Sequence, residues 1–193
     1  MTLTVSSGDA LIIVDVQNDF LPGGALAVPQ GDRVIEPLNR AAALFEAKGL
    51  PVFATRDWHP ENHCSFKPQG GPWPPHCVAG TRGAEFAPSL RLPAATVVIS
   101  KATTAERDAY SGFQGTELGN ELKRRGVKRV VVGGLATDYC VLNTVKDALA
   151  QGLQVLLLTD AIRAVDVKPG DGGAAQAEME RRGAVPITVA DLA

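Results

Sequence analysis

An aspartate, a lysine and a cysteine each follow a short apolar run in this 193-residue chain: Asp15 in LIIVDVQNDF, Lys101 in TVVISKATT and Cys140 in VVVGGLATDYCVLNTVKDAL. A carboxylate or an ammonium at the end of a buried apolar segment needs a partner. These two can satisfy each other: at about 4 Å and an effective dielectric near 20 the pair is worth roughly 4 kcal/mol before desolvation is subtracted. Thr137 or Asp138 reads as an N-cap, which puts Cys140 in the first turn of the next helix, at the positive end of its dipole. A free thiol of pKa about 8.5 is only about 3% ionised at pH 7, and the dipole plus a nearby lysine are expected to lower that pKa by a unit or more. Such a sulfur is a nucleophile. Singly, each residue has an ordinary reading as core filler, helix cap or solvated cation; their shared position at strand ends is what points to chemistry.

A second cluster lies in RDWHPENHCSFKPQGGPWPPHCVAG, which holds all three histidines (His59, His63, His76) and both tryptophans (Trp58, Trp73). Asp57 and His59, two apart at the end of an apolar run, point to the same side if the backbone stays extended. With His76 they form a carboxylate and imidazole set that suits one divalent ion, zinc first and iron or manganese as alternatives, with positions left for water or substrate. His63 and Ser65 are further candidates for a fourth ligand. Cys64 and Cys77 flank the cluster but lack the C-x-x-C spacing of a structural zinc site.

These residues must be carried by a scaffold, and the apolar runs indicate which. Ala10–Val14, Pro51–Ala54, Thr96–Ile99, Arg129–Val132, Leu153–Leu158 and, more weakly, Val185–Val189 alternate with helical stretches at Val34–Lys48, Glu117–Arg125, Asp138–Gln151 and Gly172–Arg182. Five of the runs are continuous, as strands buried on both faces are. The expected fold is an α/β three-layer sandwich: a central, mostly parallel sheet of about six strands with helices on both faces. Residues 1–193 are expected to form one domain. Ligands then bind beyond the carboxyl ends of the strands, where Asp15, Lys101 and Cys140 stand. The Gly133-Gly134-Leu135-Ala136 segment is expected to be a turn that brings backbone N–H groups close to a ligand, as an oxyanion hole does. Five of the thirteen prolines fall between Pro60 and Pro75, so the metal-site segment at about 57–80 is expected to be a long ordered loop.

Composition narrows the function classes. Nineteen Lys and Arg against 21 Asp and Glu give a net charge of -2, without the cationic excess that nucleic acid requires. The apolar run near the N-terminus is short and ends at Asp15, so neither a signal peptide nor a membrane span is expected. Three cysteines are an odd count and read as free thiols of a cytoplasmic protein.

The strings DVQNDF, DWHPENHCSF, GGPWPPHCV, a strand-end lysine followed by AYSGF, and GLATDYCV occur in that order. In them the chain resembles the nicotinamidase branch of the isochorismatase-like cysteine hydrolases, over about Ala10 to Pro186. The resemblance implies an Asp15, Lys101, Cys140 triad, a cis peptide at Leu135-Ala136 and oxyanion donors at the N–H groups of Ala136 and Cys140. It also implies substrate contacts at Phe20, Trp73, Leu135, Ala136 and Tyr139, a metal-assisted hydrolysis of nicotinamide through a cysteine thioester, and room for a homo-oligomer. The alternative within the same superfamily is a C-N hydrolase acting on a carbamoyl or ureido substrate.

Overall fold

The apolar runs become strands of one six-stranded sheet in the computed structural model, which describes residues 2–193. β1 (Asp9–Val14) is buried at all six positions, as a strand covered on both faces must be. β2 (Val52–Asp57), β3 (Val97–Lys101), β4 (Arg129–Leu135), β5 (Gln154–Arg163) and β6 (Val185–Ile187) complete the sheet. All neighbours pair in parallel, in the spatial order β3-β2-β1-β4-β5-β6. Pro186 is tolerated because β6 is an edge strand.

Side chains alternate across the sheet and feed two cores. Leu11 and Ile13 pack on one face with Leu38, Ala41, Ala42 and Phe45 of α1 (Ile35–Ala47). Ala10, Ile12 and Val14 pack on the other with α2 (Leu118–Arg124), α3 (Leu142–Ala150) and α4 (Asp171–Arg181), through Leu118, Leu122, Val145, Ala148 and Met179. The result is the expected three-layer arrangement. No helix among the described residues is long and apolar enough to cross a membrane.

The chain goes from β1 outward to β2 and β3, then returns to β4 on the other side of β1. Strand order reverses at that point, and the crevice beyond β1 and β4 is where this topology places ligands. β4 comes unusually close to β1 there. Gly134 adopts φ +128°, and a Cβ on it would run into the backbone of Val14. Gly133, Gly134 and Leu135 therefore belong to a bulged strand rather than to the expected ligand-cradling turn, and Gly134 is required for strand contact.

The helix after β4 also departs from expectation. Thr137–Val141 wind as a wide π turn and α3 begins only at Leu142. Ala136 takes the capping position, without a side-chain cap, so neither Thr137 nor Asp138 is the N-cap. The Asp138 carboxylate instead accepts the N–H groups of Val165 and Asp166, both at 2.9 Å.

Candidate active site

β2 lies between β1 and β3, so Lys101 reaches Asp15 across the end of an intervening strand. Lys101 is the last residue of β3, paired in register with Asp57 at the end of β2. Its side chain is fully buried, with Nζ 2.9 Å from Asp15 Oδ2, 3.5 Å from Cys140 Sγ and also hydrogen-bonded to Asp57 Oδ1. The Ala109 carbonyl accepts a further bond from it at 3.2 Å. Asp15 sits just past β1 at φ +49°, and its Oδ1 accepts a 2.7 Å hydrogen bond from the Thr55 hydroxyl. Cys140 Sγ lies within 4.8 Å of a carboxylate oxygen of Asp15. Three residues far apart in sequence thus meet around one ammonium.

Burial sets the protonation states. Desolvation raises the Asp15 pKa above the usual carboxylate range, although Lys101 pulls in the other direction. It pushes the Cys140 thiol well up, against the opposing effect of Lys101. The expectation of a lowered thiol pKa is corrected here: Cys140 is 6% exposed, and loss of water outweighs the nearby cation. Lys101 is desolvated too, but Asp15 and Asp57 together hold its pKa well above normal, so it stays charged. At neutral pH Lys101 is an ammonium and Cys140 a protonated thiol, with the Asp15 carboxyl group beside both. Cys64, Cys77 and Cys140 are all free.

The histidine loop is ordered by its own backbone. His59 N–H donates to Cys77 O at 3.0 Å and Ala79 N–H to His59 O at 2.8 Å, while Trp73 N–H donates to Ser65 O at 3.0 Å. His59 Nδ1–H donates to His76 O at 2.9 Å, and His76 Nδ1–H donates to Pro74 O at 2.8 Å. Each ring therefore leaves Nε2 as its free acceptor, the arrangement typical of imidazoles that bind metal. Donor atoms of Asp57, His59 and His76 lie within 4.8 Å of one another, and all three residues are buried. Burial, reinforced by the neighbouring His76 and His63, lowers the His59 pKa to about 3, so its ring is neutral as ligation requires. The donor set fits a divalent cation. His63 Nδ1 bonds Ser65 Oγ at 2.7 Å and its Nε2 bonds Arg107 O at 3.0 Å; Ser65 lines the cavity that His59 and His76 also line, and His63 offers a donor atom within 4.8 Å of His59 and Asp108.

Both clusters open into one cavity. Cys140, Asp57, His59, His76 and Ala136 line it, with Phe20, Trp73 and Tyr139 as aromatic walls. Leu135 does not; it is wholly buried in the α1-side core. The Leu135-Ala136 peptide is cis. Other lining residues were not anticipated from sequence: Leu26, Val28, Asp108, Ala109, Tyr110 and Val165. Tyr110 carries the one readable signal, lying in the AYSGF string. Its hydroxyl accepts a 3.0 Å hydrogen bond from Trp73 Nε1, and Tyr139 packs edge-on against Trp73 at 5.1 Å between ring centroids.

Comparison with known proteins agrees with this geometry. The chain is 40% identical to the nicotinamidase of Escherichia coli strain K12, over 94% of this chain and 95% of that protein. Among solved structures it matches the pyrazinamidase of Pyrococcus horikoshii in complex with zinc, with a TM-score of 0.90 and 51% identity over 94% of this chain and 99% of the other. It also matches PnC1 from L. infantum in complex with nicotinate, with a TM-score of 0.92 and 40% identity over 100% and 99% of the two chains. The isochorismatase domain model matches residues 9–191, and the chain belongs to the isochorismatase family.

Proposed function

We propose that the protein hydrolyses nicotinamide to nicotinate and ammonia through a thioester on Cys140. The observation that carries this reading is that the nucleophile Cys140 and the divalent-ion donor set Asp57, His59 and His76 line the same aromatic-walled cavity, with Asp15 buried behind the sulfur. The relatives that share the fold across nearly the whole chain include a nicotinamidase and a nicotinate complex. The nicotinamidase relatives at 40 to 47% identity favour this substrate over the carbamoyl alternative.

In this mechanism Asp15 takes the proton of the Cys140 thiol as the sulfur attacks the carboxamide carbon. Lys101 keeps the carboxylate in place and stabilises the developing thiolate. Negative charge gathers on the carbonyl oxygen, and the N–H groups of Ala136 and Cys140 are the donors assigned to it, each worth roughly 3 to 4 kcal/mol in comparable sites. The carbon-nitrogen bond then breaks while protonated Asp15 returns its proton to the leaving nitrogen, releasing ammonia and leaving a nicotinoyl thioester. Asp15, again ionised, takes a proton from water as that water attacks the thioester. Breakage of the carbon-sulfur bond and return of the proton to sulfur release nicotinate.

Asp57, His59 and His76 would hold the divalent ion, zinc by preference, which would supply Lewis acidity toward the ring nitrogen of the substrate. Phe20, Trp73 and Tyr139 hold the flat ring between apolar walls. The test is ammonia release by zinc-loaded protein from nicotinamide and, separately, from N-carbamoyl compounds. Turnover of nicotinamide alone is expected; turnover of the carbamoyl compounds alone would overturn the assignment.

A further inference from the structure

The Gln17-Asn18-Asp19 run of the DVQNDF string performs no step of the mechanism, yet all three side chains reach the backbone of the segment that follows β2. Gln17 is fully buried. Its Oε1 accepts the Asp57 N–H at 2.8 Å, while its Nε2 donates to Asp57 O at 2.8 Å and to Ala84 O at 2.9 Å. One amide thereby grips both ends of the 57–84 segment, using the groups that a strand neighbour would have used. Asp19 Oδ2 accepts the Cys77 N–H at 2.7 Å, directly after His76, and its Oδ1 accepts the Ala25 N–H at 3.2 Å. The Cys77 peptide unit is a crossroads, because Cys77 O in turn accepts the His59 N–H. Cys77 holds the left-handed conformation, φ +47°. A Cβ on Gly83 would run into the Asp19 carboxylate, so only glycine leaves that carboxylate room. Asn18 differs from its two neighbours: its Nδ2 donates at 2.8 Å to Arg82 O, at an exposed position next to no ligand.

We propose that Gln17 and Asp19 are positioning residues of the metal site. They fix the main chain at Asp57 and immediately after His76, and so set the spacing of ligands contributed by two segments nineteen residues apart in sequence. The inference rests on the assignment of Asp57, His59 and His76 as ligands. A metal site tolerates little displacement of its donors, and loss of outer supporting contacts in comparable sites weakens metal binding by about 10- to 100-fold. The Asp19 bond is charge-assisted and therefore among the stronger single contacts holding the loop.

The experiment is a zinc titration of the metal-free full chain against a chromophoric chelator, for wild type, Asp19→Asn, Gln17→Met and Asn18→Ala, with a thermal unfolding curve of each metal-free variant. Asp19→Asn keeps size at a partly exposed position and removes one of two acceptors, so it reports even if Gln17→Met does not fold. The expected result is a zinc dissociation constant raised about tenfold or more by Asp19→Asn and, where folded, by Gln17→Met, with Asn18→Ala matching wild type. A constant for Asp19→Asn within twofold of wild type, whatever its unfolding temperature, would overturn the proposal and leave the ligands as assigned. Equal weakening by Asn18→Ala would also overturn it, by showing a general loosening of the loop. Failure of wild type to bind zinc, or binding unaffected by His76→Ala, would instead remove the ligand assignment itself.

Discussion

Asp57 and Lys101 stand opposite each other at the ends of adjacent parallel strands, and the Lys101 ammonium hydrogen-bonds the Asp57 carboxylate. One residue is thereby shared between the ion-binding donors and the charged centre around Cys140. The shared position makes Asp57 different in kind from His59 and His76, whose ring nitrogens hydrogen-bond carbonyls of the loop and not Lys101.

Substitution should expose that difference. His76→Ala is expected to act mainly through KM, by weakening the hold on the substrate ring. Asp57→Asn is expected to lower kcat as well, by about tenfold, because Lys101 then loses one charged partner worth roughly 1 to 2 kcal/mol. Steady-state kinetics at saturating zinc check this. The same KM and kcat pattern in both variants would contradict it.

Lys101 compensates two buried carboxylates, so its removal should be costly for the fold. Lys101→Met is expected to destabilise the metal-free protein by about 3 to 5 kcal/mol, measured by urea denaturation. The folded pKa of Lys101 lies above its ordinary 10.5, so this stabilisation is fully present below that value and is lost only as pH rises through the folded pKa. The contribution from the charge of Lys101 itself should therefore be constant across the neutral range.

Thiol reactivity tests the burial argument. Desolvation holds the Cys140 pKa well above 9.0, so at any pH near neutrality its thiolate fraction is smaller than that of an ordinary cysteine. In the metal-free protein, iodoacetamide should modify Cys140 more slowly at pH 7.5 than it modifies the partly exposed Cys64, with the rate still climbing beyond pH 9. Peptide mass mapping distinguishes the two sites. A Cys140 rate that levels off near neutral pH would mean that Lys101 outweighs burial.

Tyr110 fixes Trp73 through a hydroxyl contact that Tyr110→Phe removes without changing the ring. Loss of one such bond is worth about 1 kcal/mol, so KM for nicotinamide should rise roughly fivefold while kcat changes little. A fall in kcat with unchanged KM would instead place the hydroxyl in the chemical steps.

The sheet was legible because its strands are buried on both faces and therefore read as continuous apolar runs; β1, with all six residues buried, is the clearest case. Asp15, Lys101 and Cys140 stood out because each charged or nucleophilic group interrupts apolar sequence just where parallel strands end. Strand order was not legible, and with it the contact between Lys101 and Asp57 stayed hidden, since pairing of β2 with β3 is a long-range fact with no local signature. The thiol pKa was misjudged for a related reason: sequence shows a neighbouring cation more readily than the depth of burial that opposes it. Gly134 looked like a residue kept small for a ligand, whereas the close approach comes from the Val14 backbone. Tyr110, Asp108 and Val165 reach the cavity from irregular segments, where neither period nor spacing marks a side chain as inward-facing.

The most direct test of the covalent mechanism is rapid acid quenching of the zinc-loaded protein during turnover of nicotinamide, followed by mass spectrometry of the peptide that carries Cys140. The predicted result is a nicotinoyl adduct on Cys140 that forms with ammonia release and decays with nicotinate release, together with loss of turnover in a folded Cys140→Ala variant. Undiminished ammonia release by Cys140→Ala, with no adduct on the wild-type peptide, would contradict it.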